Sequence, residues 1–192
     1  MKLALKNLSY LILDILQTIT VAFGFFAVIY LFLIQPHQVR GDSMLPNFHN
    51  SDYLITNKVL YHFREPQRGD VIIFKFPPMP KEDYIKRIIG LPNEELEVRD
   101  GFVIIYNNEH PNGFELNEPY LEKGTQTAGK TAIPAETRIR IPEDQFVVMG
   151  DNRSRSSDSR EWGFVPRENL VGKGWIRYWP PEAMAFIPHP DY

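Results

Sequence analysis

The chain has 192 residues, a net charge of -3 and a pI near 6.0. A nucleic-acid-binding protein usually has a basic excess, so no nucleic-acid partner is expected. The sequence contains no cysteine, which excludes disulfides, thiolate metal sites and a cysteine nucleophile. The 16 prolines and 12 glycines favour a turn-rich β protein over a helical bundle.

An uncharged hydrophobic segment runs from Ile15 to Ile34. A helix of about 20 residues spans about 30 Å, the thickness of the hydrocarbon core of a bilayer. No small-x-small cleavage site follows, so a retained anchor is favoured over a cleavable signal peptide. The alternative is a buried helix of a soluble domain. Lys2 and Lys6 precede the segment, which predicts a cytoplasmic N-terminus and an extracytoplasmic remainder.

Short apolar runs after the anchor predict β-strands bounded by Gly and Pro turns. Asp100-Gly101 predicts a two-residue hairpin. The predicted strands are Tyr53–Ile55, Val71–Phe76, Tyr84–Ile89, Leu96–Arg99, Phe102–Tyr106, Ile139–Ile141, Phe146–Met149 and Trp175–Trp179. Residues 107–137 are polar and predict a loop-rich insertion, and the tail from Pro180 is expected to be irregular. The sequence therefore predicts a mainly β domain behind one N-terminal transmembrane helix.

Segment 41–46, Gly-Asp-Ser-Met-Leu-Pro, follows the anchor within a few residues, so the anchor would hold Ser43 near the bilayer surface. A serine hydroxyl becomes a good nucleophile only when a nearby base takes its proton. Histidine is the usual base, but no histidine here lies in a setting that marks a triad. The histidines are His37, His49, His62, His110 and His189.

Lysine is the other candidate base. A free lysine has a pKa near 10.4 and is protonated at neutral pH, but burial among apolar groups lowers the pKa. Lys86 lies in an apolar run between Ile85 and Ile88, where such burial is plausible. The local sequence by itself favours the alternative that Lys86 is on the exposed face of an edge strand.

A third cluster spans residues 149–165 and is dense in hydrogen-bonding groups. A solvated loop is the simplest interpretation of such a polar stretch. Because Trp162-Gly163-Phe164 ends it, we favour an ordered loop packed beside the site. Asp158 and Arg160 are candidates for an ion pair within this loop.

Together these clusters resemble the type I signal peptidases, membrane-bound Ser-Lys enzymes that remove signal peptides from exported proteins. The resemblance covers nearly the whole chain. It rests on the N-terminal anchor, a Ser-Met-x-Pro box at 43–46, an Arg-Gly-Asp box at 68–70, a Lys-Arg box at 86–87 and a box from Gly-Asp-Asn-Arg at 150–153 to Asp-Ser-Arg at 158–160. Each box alone is moderate evidence, and their order after a single anchor is strong evidence.

The resemblance implies a role for each matching residue. Ser43 matches the nucleophile, Lys86 the general base and Ser156 the serine that orients the lysine by a hydrogen bond. Asp158 and Arg160 match the pair of residues that supports the site. Residues 150–152 match family positions with a structural role. The residues that match the lining of the pockets for small substrate side chains are Val39, Met44, Tyr84 and Ile85.

Two positions depart from the family pattern. Asn47 follows Pro46 where the family usually has threonine. Gly41 stands where some members have a serine whose hydroxyl helps to stabilise the oxyanion. The backbone N–H of Ser43 is then the expected donor, with a backbone group at Gly41 as a substitute for the missing side chain. Losing one such donor outright typically costs about 100-fold or more in rate.

The resemblance implies a single-pass protein of the plasma membrane, with residues 1–35 as cytoplasmic end and anchor and residues 36–192 as an extracytoplasmic catalytic domain. It implies signal peptides of exported preproteins as substrates, the bilayer as a partner, and no cofactor or metal. Two other classes remain alternatives, a self-cleaving repressor of the SOS type and a membrane-tethered β module that only binds. The apolar N-terminus argues against the repressor. The range of substrates, general secretory or dedicated, and the oligomeric state stay open.

Overall fold

The computed structural model describes residues 2–190 and 192. Helix α1 (Lys2–Val28) opens the chain and continues as a π-helical turn (Ile29–Leu33). Within α1, Tyr10–Val28 is long and apolar enough to cross a membrane, with a mean hydropathy of 2.0 and none of it buried. The predicted apolar helix is therefore confirmed, although its end at Ile34 was wrong. Ile34 begins the first strand, where Pro36 disfavours helical backbone for the residue before it.

Strands and short helical turns form the rest of the chain, which confirms the mainly β prediction. The strands are β1 (Ile34–Gln38), β2 (Tyr53–Asn57), β3 (Val71–Lys75), β4 (Asp83–Gly90), β5 (Glu95–Arg99), β6 (Phe102–Tyr106), β7 (Phe114–Glu115), β8 (Ile139–Arg140), β9 (Gln145–Met149), β10 (Val165–Pro166), β11 (Leu170–Trp179) and β12 (Ala185–Phe186). The short helices are α2 (Leu60–Phe63) and α3 (Ser159–Trp162), with 3-10 turns at Arg167–Asn169 and Pro181–Ala183.

The strands form two sheets. The larger has the order β1-β2-β11-β3-β4-β9-β10, with β12 paired to β11, and the smaller has the order β7-β6-β5-β8. Strand β4 pairs antiparallel with β3 on one side and with β9 on the other. Lys86 lies opposite Ile72 of β3. The strand that carries Lys86 is therefore an interior strand of the larger sheet and is not an edge strand.

The predicted hairpin joins β5 to β6. Asp100 and Gly101 have φ values of 52° and 86°, as a type I′ turn requires at both central positions. The register places Arg99 opposite Phe102, so the turn has two residues. This hairpin forms the centre of the smaller sheet, and its apolar side chains pack with those of β4 and β9 in one core cluster.

Several elements lie outside the predicted runs. Strand β11 begins at Leu170, five residues before the predicted start, and the tail contains β12 where irregular chain was expected. The start of β11 was not predicted because Gly172, Lys173 and Gly174 interrupt the apolar pattern of a strand. A Cβ on Gly172 would lie 2.3 Å from the carbonyl oxygen of Asn57. Glycine at this position thus permits β11 to approach the end of β2, which no local pattern indicates.

Candidate active site

The side chains of Ser43 and Lys86 meet in the structure although they are 43 positions apart in the chain. Lys86 Nζ donates hydrogen bonds to Ser43 Oγ at 2.8 Å and to the carbonyl oxygen of Ile85 at 2.9 Å. The Lys86 residue is only 4% exposed. This contact is the geometry that proton transfer from a hydroxyl to an amine requires.

Burial has a direct effect on the charge of Lys86. Desolvation disfavours the ammonium form and lowers the pKa of Lys86 to about 8, while the carboxylates of Asp158 and Asp151 oppose the shift. A pKa of this size leaves an appreciable neutral fraction at mildly alkaline pH. The amine can therefore accept a proton where an exposed lysine cannot.

Ser43 lies in a tight turn between β1 and β2. Gly41 has a φ of 86°, a left-handed conformation that glycine adopts without strain. The Gly41 N–H donates a hydrogen bond to Asn50 Oδ1 at 3.0 Å, so it already has a partner. The carbonyl oxygen of Ser43 accepts from the Asn152 N–H at 3.0 Å, and Asn152 Nδ2 donates to the Asp42 carbonyl at 3.1 Å. The loop after β9 thus holds both the Ser43 backbone and the residue before it.

The same loop contains a fully buried ion pair. Arg160 donates from Nε to Asp158 Oδ1 and from Nη2 to Asp158 Oδ2, each at 2.8 Å. Asp158 also accepts from the Gly150 N–H at 3.1 Å and caps α3 through the Arg160 N–H. Burial alone would raise the pKa of Asp158, but the hydrogen bonds and charge of Arg160 hold this pKa below its usual value. The carboxylate is therefore ionised and fixes the loop backbone.

Ser156 lies close to Ser43 but does not contact Lys86 by a hydrogen bond in this structure. Its residue is 1% exposed, and its hydroxyl lies beside the Asp158 carboxylate, where a hydrogen bond adds to the effect of Arg160 in lowering the pKa of Asp158. A Cβ on Gly150 would lie 2.3 Å from Ser156 Oγ and 2.3 Å from the Ser43 carbonyl oxygen. Gly150 therefore lets the buried hydroxyl and the Ser43 backbone approach the same point of β9.

The sequence reasoning missed a second network beside the site. Arg87, the residue after Lys86, donates Nε to Asp151 Oδ1 at 2.9 Å and Nη2 to Asp151 Oδ2 at 2.7 Å. Asn47 donates to the same carboxylate at 2.8 Å and to the Tyr120 carbonyl at 2.8 Å. The amide at the position that departs from the family pattern thus links the Ser43 turn to the insertion. The sequence signals for this network were the Lys-Arg dipeptide and the match of residues 150–152 to structural support.

Aromatic packing orders the end of the loop. The Trp162 ring contacts the Phe76 ring at a centroid distance of 5.4 Å and the Phe74 ring at 6.1 Å. Phe76 in turn stacks on Tyr84 at 4.3 Å. These contacts tie α3 to β3 and β4, so the loop of residues 149–165 packs against the strand that bears Lys86.

Ser43 and Lys86 open into a groove with a volume of about 680 Å³. Three of the four residues predicted to line substrate pockets border it: Val39, Tyr84 and Ile85. Met44 does not. It is 1% exposed and packs with Val39 and Phe48 in a core cluster beneath the groove. The groove is therefore walled by the β1 end and the start of β4.

The sequence matches a known protein family over most of its length. Residues 12–179 match the family "Signal peptidase, peptidase S26". A signal peptidase I of Leptolyngbya laminosa is 36% identical over 169 residues, which cover 84% of this chain and 77% of the relative. A signal peptidase I of Bacillus caldolyticus is 35% identical over 167 residues, which cover 83% and 87%. A probable signal peptidase I-1 of Synechocystis is 38% identical over 156 residues, which cover 78% and 73%.

A crystal structure of a signal peptidase I from Enterococcus faecalis V583 has 33% sequence identity and a TM-score of 0.46, and the match covers 57% of this chain and 97% of that one. The family match and the relatives define the class of protein as a peptidase. The chain belongs to the signal peptidase family, peptidase S26, and is an enzyme of the signal peptidase I type.

Proposed function

We propose that this enzyme cleaves N-terminal signal peptides from exported precursor proteins at the membrane surface, with Ser43 as nucleophile and Lys86 as general base. The observation that carries the proposal is the 2.8 Å contact between Lys86 Nζ and Ser43 Oγ in an open groove. Family membership supplies the reaction class, and the lowered pKa of Lys86 supports its role as a base.

In the proposed mechanism the precursor lies extended in the groove and pairs through its backbone with the flanking chain. Neutral Lys86 takes the proton of Ser43 as Oγ attacks the scissile carbonyl carbon, and the protonated amine then gives that proton to the leaving nitrogen. The acyl-enzyme that remains is hydrolysed by a water whose proton passes to Lys86. Ser43 Oγ recovers a proton from Lys86 as the acid product leaves, so the enzyme is regenerated.

The oxyanion donors in this proposal are backbone groups. The Ser43 N–H is the primary donor. The Gly41 N–H contributes only when its hydrogen bond to Asn50 Oδ1 opens, because that bond occupies it in this structure. We further propose that Ser156 orients Lys86 during turnover, since its buried hydroxyl lies beside the Ser43 backbone. Asp158 and Arg160 act as structural support for this loop.

The proposed location is the plasma membrane, crossed once, with the N-terminus in the cytoplasm. The cytoplasmic end and the anchor precede β1, and the catalytic domain outside begins with β1 at Ile34. Support comes from the apolar helix Tyr10–Val28 and from Lys2 and Lys6 on its N-terminal side. The substrate in this arrangement is an exported precursor whose own apolar segment lies in the same bilayer.

The test is cleavage of a peptide that spans a small-x-small signal site, by the full chain in detergent. Ser43→Ala and Lys86→Met should each reduce kcat/KM by at least about 1000-fold, as expected when a member of a catalytic unit is lost. Lys75→Met, at an exposed position of β3, is the matched control and should keep full activity.

Circular dichroism would establish that all three variants are folded. Retained cleavage in Ser43→Ala would refute the assignment of the nucleophile, and retained cleavage in Lys86→Met would refute the base. A binding module without activity would fail to cleave and would also fail to react with a serine-directed acylating probe at Ser43.

A further inference from the structure

A lysine of the insertion contacts the loop that carries Ser156. Lys130 Nζ donates a hydrogen bond to the carbonyl oxygen of Ser156 at 2.7 Å. We propose that Lys130 is a positioning residue for the reaction, which holds the Ser156 backbone so that the Ser156 hydroxyl can orient Lys86. This inference rests on the proposed function and deepens it by assigning a role to a residue of the insertion.

The oxygen that Lys130 binds is buried. Ser156 is 1% exposed, so its carbonyl is out of reach of bulk water. Among the described residues, Lys130 is the one that donates a hydrogen bond to this oxygen. A hydrogen bond from a charged donor is about twice as strong as one between neutral groups, and an unpaired buried carbonyl costs free energy. The Lys130 bond therefore determines where the Ser156 peptide group lies.

The backbone from which the Lys130 side chain extends is itself fixed. The Lys130 N–H donates to the Ile133 carbonyl at 2.9 Å, and Ile133 is 0% exposed in the core cluster that both sheets share. The N–H groups of Ala132 and Ile133 both donate to the Arg160 carbonyl, at 2.9 and 3.1 Å. Arg160 Nη1 donates in return to the Ala128 carbonyl at 3.1 Å. The insertion is thus joined to Arg160 on both sides of Lys130, so the lysine side chain extends from an ordered segment.

Lys130 has a second contact, which allows the effect of the first to be isolated. Its Nζ lies 3.3 Å from Glu161 Oε2, and the two side chains are 30% and 51% exposed. An ion pair this exposed contributes little to stability. The bond to the buried Ser156 carbonyl is therefore the stronger contact, and Glu161→Gln removes the charge of the weaker one alone.

The position of the Ser156 backbone determines where the Ser156 hydroxyl lies. A Cβ on Gly150 would lie 2.3 Å from Ser156 Oγ, so the hydroxyl is packed closely against the neighbouring backbone. A serine oxygen is separated from the backbone by a single rotatable bond with three staggered positions, so it moves when the backbone moves. A misplacement of about 1 Å in a catalytic arrangement can cost about 100-fold in rate. Loss of the Lys130 bond should therefore slow catalysis.

Lys130 acts at a distance from the reacting atoms. It lies outside the set of described residues that border the groove of Ser43 and Lys86. The carboxylates of Asp158 and Asp151 are the charges that act on the pKa of Lys86. Removing the charge of Lys130 should therefore lower the rate at every pH and leave the shape of the pH profile unchanged.

The experiment measures kcat and KM for the small-x-small peptide with the full chain in detergent. Complete labelling of Ser43 with a serine-directed acylating probe gives the amount of active enzyme. In Lys130→Met we expect kcat to fall by about 10-fold while KM stays within about 2-fold, because the groove that binds the substrate is unchanged. Lys130→Arg keeps a cationic donor and should recover most of the loss. Glu161→Gln and Lys123→Met, both at exposed positions, are the controls and should keep full activity.

A double-mutant cycle with Ser156→Ala separates positioning of the Ser156 hydroxyl from general support of the loop. If Lys130 acts through this hydroxyl, Lys130→Met causes no further loss of kcat once Ser156→Ala has removed it. Equal losses in both backgrounds would overturn the inference, and so would an unchanged kcat in Lys130→Met. An unchanged kcat in a protein that Ser43→Ala inactivates would leave the proposed function in place and refute only the role of Lys130. Failure of the proposed function is a different result, in which the unaltered protein does not cleave the peptide or Ser43→Ala still does.

Discussion

Arg87 and Asp151 form a bidentate ion pair directly behind the Ser43–Lys86 contact, with bonds of 2.9 and 2.7 Å. Both side chains are buried, at 3% and 0% exposure. Since Arg87 follows Lys86 and Asp151 follows Gly150, the pair joins the strand that bears Lys86 to the loop that holds the Ser43 backbone. The distance between Ser43 and Lys86 therefore depends on residues that touch neither side chain.

Cleavage should depend on pH through Lys86. Its pKa is lowered to about 8, so the neutral amine becomes scarce below that value. We expect log kcat/KM to fall by about one unit per pH unit below pH 8 and to level off above about pH 9. Lys75→Met should show the same profile. A rate that stays constant between pH 6 and pH 9 would contradict Lys86 as the base.

Lys86 should also reduce the stability of the fold. Its pKa is lower in the folded protein than in the unfolded chain, so the unfolded chain binds more protons between pH 8 and the ordinary lysine value near 10.5. The unfolding free energy is therefore reduced below pH 8, and it increases as the pH rises through this window. Lys86→Met should increase the unfolding free energy at pH 7 by about 1 to 3 kcal/mol, with the gain lost above about pH 10.5.

Thermal unfolding of the detergent-solubilised protein at pH 7 and pH 11 would measure this gain. Met has a similar length and no charge, so it removes the buried cation without opening a large cavity. A variant that is less stable than the unaltered protein at pH 7 would show that the hydrogen bonds of Lys86 outweigh its desolvation.

Replacing one partner of the Asp158–Arg160 ion pair should destabilise the protein more than replacing both. Asp158→Asn keeps the shape of the side chain but leaves the guanidinium of Arg160, which is 0% exposed, without a counter-charge. Breaking one partner of such a pair costs about 3 to 5 kcal/mol. The double variant with Asp158→Leu and Arg160→Met should lose less, which chemical denaturation would reveal. If the single and double variants lose the same amount of stability, the loss is due to the shape of the side chains and not to their charge.

Gly150→Ala should disrupt the site because there is no space for a side chain at this position. The added methyl would lie 2.3 Å from both the Ser43 carbonyl oxygen and Ser156 Oγ, so one of them must move. Overpacking of this kind costs about 1 to 3 kcal/mol, and we expect kcat to fall by at least about 10-fold. Gly24→Ala is the matched control, because a Cβ there meets no atom within 4 Å. If Gly150→Ala keeps full activity and stability, the loop can move to accommodate the methyl group and the prediction is wrong.

Much of the fold could be predicted because the signals are local. The apolar helix, the runs that became β3 and β4, and the Asp100-Gly101 hairpin each follow from the periodicity or turn chemistry of a few adjacent residues. Strands β1 and β10 could not be predicted in this way. Their polar or proline-containing sequences become strands because β2 and β9 offer hydrogen-bond partners that are distant in the chain.

The same distinction between local signals and contacts distant in the chain applies to the candidate site. The sequence by itself determined which groups could react, Ser43 and Lys86, and that a long apolar helix precedes them. The local pattern alone favoured an exposed Lys86 on an edge strand, and it was the resemblance to the family that implied a buried base. Only the tertiary structure decided it, since it buries the amine in contact with Ser43 and near the carboxylates of Asp158 and Asp151. Burial, and with it the pKa, is a property of the neighbours in space, which the order of residues along one strand does not contain.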